Sequence, residues 1–566
     1  NPLFVEEMFA MLVDDGLLAR TNGSWAPSAD LSSVPVPPTI AALLAARLDR
    51  LSTEERFVLE CASVVGQVFW RTSVAELATG GPGTDVARHL LGLVRHELIR
   101  PDRSSFAGDD AFRFRHLLIR DATYSALPKA DRADLHEAFT VWLERVAGQR
   151  VGEYEAILGY HLEQACRLRA ELGPASEADT ERARRGAAWL ARAGRRSLDQ
   201  GDDRSAAGLL DRAANLLPSD GDVGRAELLV DLGRALLGVG ELARVEAVLS
   251  EAVDATPAAE DRCLHGRALL ERMLSRMNTG PWMGPAEELT AAWIPVFTEH
   301  GDHRGLALAH WLLGWVWVNS GRNQHGQRSF ELAWRHARQA GNTRLALDCL
   351  GSLRLAINIG PTPASESLRL FRDYAHEVAN RYHQARLEEA EACVLAMQGA
   401  VAESRALLAS SRATYKELGL ELGDAYSAQS VYEVEMTAGD AGGATEDLLT
   451  AAQTLEAVGD ITGLATTAGM LAEALVAQGR DGEAEAFSRT GEDLADTDDV
   501  DAQMRWRRAR ARVLARHGDM EAAERLAREA LALVADTDAL NDHANTLLDL
   551  AEILRLADRP EEATAA

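Results

Sequence analysis

Two lysines, Lys129 and Lys416, stand among 59 basic residues, and the residues that follow them answer one chemical question at once. A loop that cradles phosphates needs glycines ending in Lys-Ser or Lys-Thr, so that backbone amides and an ammonium meet the phosphate oxygens. Lys129 precedes Ala130 and Lys416 precedes Glu417, so neither belongs to such a loop. His136-Glu137 and His376-Glu377 lack a second histidine four residues after the first, which removes a zinc-protease helix. No Gly-x-Ser-x-Gly elbow occurs, and the five cysteines lie far apart with no CxxC pair and no local nucleophile signature. Carboxylates are plentiful but scattered over solvated helix faces. The sequence therefore names no catalytic residue and no metal ligand, and the chain reads as a non-enzyme of a reducing cytoplasm.

Binding is the chemistry these residues do offer. Trp282, Trp293, Trp311, Trp315, Trp317 and Trp334 gather six of the eleven tryptophans into one stretch, with Trp311 and Trp315 one helical turn apart. Trp311, Trp315 and Trp317 could line a concave pocket for a protein or small-molecule effector; the competing reading is an interhelical core. Arg505, Arg508, Arg512 and Arg516 share one helix face and could hold an anionic partner. Residues 421–566, however, hold 31 acidic side chains against 12 basic ones, so salt bridges to neighbouring helices are the better assignment for that stripe. The formal charge of −28 excludes a general nucleic-acid surface. The longest apolar stretch, Trp311 to Val318, is eight residues, far short of a membrane span.

The elements that must position these residues follow from length and period. A chain of 566 residues exceeds one compact core, and its 5% aromatic content points to helical layers rather than sheets. Glycines recur at 201, 240, 280, 321, 360, 399, 439, 479 and 518, with small residues five and twelve positions later and often seven positions before. Each unit reads as a helical hairpin: the glycine ends the first helix in a left-handed cap, and small residues let the second helix approach. The expected fold class is mainly α, a winged-helix domain followed by a tetratricopeptide-like α-superhelix of about nine and a half units over 181–566.

Residues 1–180 lack that period. Leu3–Leu18 reads as a helix, Thr21–Pro38 as a turn or linker, and Thr39–Leu51, Thr53–Val65 and Thr84–Arg100 as helices, with Ser52 and Glu55 forming a capping box. Ala111 to His116 alternates like a strand of a short hairpin, so three helices and a wing are expected. Helices at 116–127, 130–147 and 154–172 lead into the array. The domains expected are 1–34, the end of a nucleotide-binding module and its linker; 35–128, the winged helix; 129–180, a helical connector; and then the array. Both ends look like cuts in a longer polypeptide, since Asn1 is not a methionine and a helix has just begun when the residues stop.

Three segments carry a resemblance. Asn1-Pro2-Leu3-Phe4-Val5-Glu6-Glu7, the run from Val36-Pro37-Pro38-Thr39-Ile40 to Asp49-Arg50-Leu51, and Phe114-Arg115-His116-Leu117-Leu118-Ile119-Arg120-Asp121-Ala122-Thr123-Tyr124 resemble the back half of STAND-class signalling ATPases. In those proteins an AAA-like module is followed by a winged helix and a helical-repeat sensor. The nearest likeness is to large actinobacterial proteins with an adenylate or guanylate cyclase ahead of the ATPase; others carry a LuxR-type DNA-binding domain instead.

The resemblance implies a regulatory, effector-sensing portion controlling a cyclase, with ATP or ADP bound mainly by an upstream module in cis. It also implies that Pro2 lies against the adenine and that His116 touches the nucleotide's phosphates in a closed state. An imidazole there could donate to a phosphate and lose the bond on opening. The alternative for His116 is a strand-end histidine satisfied in the domain core. For the whole chain the alternatives are a LuxR-type transcriptional regulator and a nucleotide-independent scaffold.

Overall fold

The computed structural model describes residues 8–9, 18–21, 24–27, 40–79, 85–218, 223–256, 261–376 and 380–566. The chain forms two compact units, 1–193 with 215–217, and 194–214 with 218–566. Pro2 and most of the expected helix Leu3–Leu18 lie outside the described residues.

In the first unit, strand β1 (Leu18–Thr21) pairs antiparallel with β2 (Ser24–Pro27), in the register Leu18↔Pro27. This corrects the linker expected from Thr21 and the helix expected to run through Leu18. The Asn22-Gly23 pair between the strands is the sequence signal for a two-residue hairpin connection, and it outweighs the prolines that suggested a linker. The helix Thr53–Val65 starts as its sequence demands, because Ser52 Oγ accepts from Glu55 N at 3.2 Å while Ser52 N donates to Glu55 Oε2 at 3.3 Å.

A three-stranded antiparallel sheet follows, in the order β3 (Val68–Trp70), β5 (Ala111–Phe114), β4 (Ile99–Asp102). The third helix is shorter than the expected 84–100, spanning Val86–Arg95. Glu97 adopts a left-handed conformation at φ 53°, Leu98 N donates back to Leu93 O at 3.1 Å, and the chain leaves as β4 with Leu98 and Ile99 buried. β3 and the helix Arg71–Leu77 are further elements between the second and third expected helices. Phe69 and Phe114, with ring centroids 5.4 Å apart, join Leu59, Leu90 and Leu93 in one core.

The second unit is a stack of helical hairpins from Asp203–Leu216 to Leu540–Leu556, a tetratricopeptide-like array. At three of the period glycines a glycine seven residues before meets the residue nine after. A Cβ on Gly194 would lie 2.8 Å from Leu210, on Gly233 2.5 Å from Leu249, and on Gly314 2.4 Å from Phe330. That is contact only a hydrogen permits. Seven of the nine period glycines are left-handed. The exceptions, Gly280 and Gly360, each precede a proline, which excludes the α regions and drives Gly360 to an extended φ of −85° and ψ of −174°. No described helix is long and apolar enough to cross a membrane.

Candidate functional site

The first helix of each hairpin carries residues on two faces. One packs between neighbours; the other, spaced by three or four residues, looks inward. In the helix Thr343–Ile359 the inward series is Arg344, Asp348, Gly351, Leu355 and Asn358; in Arg381–Met397 it is Tyr382, Arg386, Glu389 and Cys393. Helices from Asp203–Leu216 to Leu540–Leu556 contribute to one cavity of about 510 Å³, within the range of roughly 300–1,000 Å³ usual for ligand sites.

Contacts between hairpins far apart in sequence close the cavity. Ile461 N donates to Asn278 O at 2.7 Å, and Asn278 Nδ2 donates to Asp460 Oδ2 at 2.8 Å. Asp538 accepts from Asn323 N at 2.7 Å and from Gln324 N at 2.8 Å, so a residue more than 200 positions away satisfies the first amides of the helix Asn323–Gln339. Asp199 accepts from Arg344 N at 3.2 Å in the same manner.

One wall holds a buried charge network. Arg344 donates to Asp203 at 2.7 Å and to Asp348 at 3.1 Å; Arg234 donates to Glu271 at 3.0 Å and lies 3.5 Å from Asp348. Burial works to raise the Asp348 carboxyl, but the charge of Arg344, a hydrogen bond from His383 and the charge of Arg234 hold it well below the usual range. Elsewhere on the cavity lining, burial pushes both Glu389 and Glu433 up to about 7, against the opposing charges of Arg386 and Arg505.

The tryptophans expected to line a pocket divide. Trp311 and Trp315 border the cavity together with Trp282. Trp311 also donates from Nε1 to Ser352 Oγ at 2.9 Å and lies under the Arg234 guanidinium, 4.6 Å from its ring centroid. Trp317 lies apart from them, packing on His325 and Arg322 instead. All three belong to the helix His303–Asn319, but Trp317 is two residues past Trp315, which rotates it to another face.

The arginine stripe is engaged within the array. Arg505 pairs with Asp501, Glu473 and Glu433, Arg508 with Glu473 and Asp549, Arg512 with Asp549 and Glu552, and Arg516 with Asp481. His116 is half-buried where β5 passes into the helix Leu117–Ala126, its carbonyl accepting from Ile119 N at 3.1 Å. Next to it Leu117 and Leu118 are 52% and 43% exposed. The sequence reading overlooked Arg344, Asp348, Tyr382 and Arg386. Their signal is a polar series at three- and four-residue spacing on first helices that are otherwise buried.

No family model matches this sequence, and no curated protein matches it. Among solved structures, the chain is similar to a Rap protein complexed with competence and sporulation factor, at 14% identity over 60% of this chain and 95% of that one, with a TM-score of 0.43. It is similar to the APC/C hetero-tetramer Cut9–Hcn1 at 14% identity over 78% and 86%, TM-score 0.44. A third similarity, at 10% identity over 94% and 68% with a TM-score of 0.36, is to a signal-transduction ATPase with numerous domains and a tetratricopeptide repeat sensor from Pyrococcus horikoshii. Likenesses this distant carry nothing about ligand or activity, which must be argued from the cavity itself.

Proposed function

We propose that the chain is the sensing and relay portion of a nucleotide-dependent signalling protein. The array cavity takes a small-molecule or protein effector. The four helices and three strands of residues 40–114 act as a winged helix that relays occupancy to a nucleotide-binding module on the same polypeptide, with a cyclase as output. The observation that carries the sensing part is the cavity: about 510 Å³, bordered by Trp282, Trp311 and Trp315, and built from residues of many hairpins, so that filling it biases the spacing of the whole array.

His116 suits the relay, since it stands at a strand-to-helix junction beside two exposed leucines that a neighbouring module could cover. Pro2 would be the adenine contact. The energetics set a demand: driving a two-state switch from 1:99 to 99:1 takes a differential affinity of about 10⁴-fold, or about 5.5 kcal/mol.

The test uses the complete polypeptide. Ala390→Trp fills the cavity from the helix Arg381–Met397. The substitution should change ADP release and cyclase output, and His116→Ala should uncouple the two. Nucleotide binding and output that ignore both substitutions would leave a scaffold.

A further inference from the structure

Four arginines border the cavity, and three of them are paired. Arg234 has Glu271 and Asp348, Arg344 has Asp203 and Asp348, and Arg505 has Asp501, Glu473 and Glu433. Arg386 makes no hydrogen bond and no ion pair among the described residues; its guanidinium lies over the Tyr382 ring, 5.9 Å from the centroid. Of the carboxyls nearest to it in sequence, Glu388 accepts from Gln384 Nε2 at 3.4 Å and Glu389 accepts from the Ser411 hydroxyl at 3.1 Å.

The space around Arg386 is kept open by the neighbouring helix Thr343–Ile359. A Cβ on Gly351 would come within 2.9 Å of Arg386 Cζ, so a side chain there would displace the guanidinium. One turn beyond Gly351, Arg354 is 1% exposed, and its Nε and Nη2 have no hydrogen-bond partner among the described residues. Its Nη1 donates to His383 O at 3.4 Å. Burial and then the charge of Arg386 push the Arg354 guanidinium down to about 9. The two guanidiniums repel each other, and although the charges of Asp348 and Glu389 act on Arg386, neither carboxylate makes a hydrogen bond or ion pair with it among the described residues, which leaves its donors open to an added anion.

The size of that anion follows from the other charges. Six carboxyl groups border the cavity against four guanidiniums, which disfavours a doubly charged phosphate and admits a single negative charge placed at Arg386. Trp282, Trp311 and Trp315 supply the apolar wall for the rest of the ligand, and Asn323 Oδ1, buried with no hydrogen-bond partner among the described residues, is open to an N–H donor.

We propose that the cavity binds an amphipathic carboxylate, its carboxyl group on Arg386 and its apolar body against the tryptophans. This rests on the reading of the cavity as the effector site. A peptide C-terminus and a free aryl- or alkyl-carboxylic acid offer the same chemistry, and the probes separate them.

The experiment titrates the purified chain at pH 7 with 4-phenylbutyrate, with 4-phenylbutyramide, and with two acetylated apolar hexapeptides that differ only in a free or amidated C-terminus, reading tryptophan fluorescence and heat. At least one acid should bind about ten- to a hundredfold tighter than its own amide. Arg386→Gln should erase that preference, Arg386→Lys should keep part of it, and Gly351→Ala should weaken the acid while leaving the amide unchanged. Preference confined to phenylbutyrate assigns a small acid, and preference confined to the peptide assigns a C-terminus.

Acid and amide binding alike, or an acid preference that survives Arg386→Gln, overturns the carboxylate and leaves the cavity as a receptor. Silence from every probe up to about 10 mM also overturns it. The sensing reading is judged separately, by the nucleotide response to Ala390→Trp.

Discussion

Replacing Asp499 by asparagine should leave the array unchanged in acid and strengthen it progressively as the pH rises. Asp499 is the N-cap of the helix Val500–Arg516, accepting from Ala502 N at 3.1 Å, and is 3% exposed. Burial, then the charge of Asp501, raises its carboxyl from the ordinary 3.8 to about 7. The folded chain therefore holds a proton that the unfolded chain has released, so stability is lost between about pH 4 and 7. At about 1.36 kcal/mol per unit, that shift amounts to roughly 4 kcal/mol. The helix N-terminus returns about 0.3–1 kcal/mol to the anion, which leaves about 3–4.

Asparagine caps as well as aspartate and does not titrate. The difference between Asp499→Asn and the native chain should be near zero at pH 4 and reach about 3–4 kcal/mol in favour of asparagine at pH 8. The assay is urea unfolding by circular dichroism across that range, joined to hydrogen exchange at residues 502–505, because an array of repeats need not unfold as one unit. A difference that does not change with pH would refute the argument, since only a titrating, buried carboxyl produces the slope.

Further outcomes follow from particular contacts. Gly314→Ala drives a methyl to 2.4 Å from the Phe330 ring and should cost about 1–3 kcal/mol, less up to about 1 from helix propensity; Gly208→Ala, with nothing within 4 Å, should gain about 0.5–1, both read from denaturation midpoints. Asp538→Ala removes the distant cap of the helix Asn323–Gln339 and should cost about 0.5–2 kcal/mol, with faster exchange at Asn323 and Gln324. In the first unit, His136 and His161 meet at 2.8 Å between their Nδ1 atoms, and Tyr124 Oη lies 2.8 Å from His136 Nε2. Burial lowers both imidazoles, His136 to about 3, and the charge of Arg120 adds to it at both, with Arg132 and Arg167 also acting at His136. The unfolded chain then takes up protons first, so stability should fall as the pH drops below about 6.5, and His161→Phe should flatten that slope in near-ultraviolet dichroism.

Period and caps were legible from residue order because they are local. The recurring glycines place the hairpin turns, Ser52 and Glu55 start a helix unaided, and Gly194, Gly233 and Gly314 mark where helices touch. The two turns that depart from the pattern, at Gly280 and Gly360, are also local, since each is set by the proline that follows. The short strand β3 was less legible, because three residues carry too little period to separate a strand from a loop.

Tertiary structure alone decided the cavity. Nothing in sequence spacing shows that Asp538 caps a helix more than 200 residues away, or that Asp203 faces Arg344. The difference between Arg386 and the paired arginines is likewise invisible in sequence, because a guanidinium's partner is chosen by which helices the coiling of the array brings together. Trp311, Trp315 and Trp317 make the same point at short range: their types announced a binding or packing role, but the rotation of one helix placed two on the cavity wall and the third elsewhere. Residue order determined the repeat, and the packing of repeats determined which of its charges remain open to a ligand.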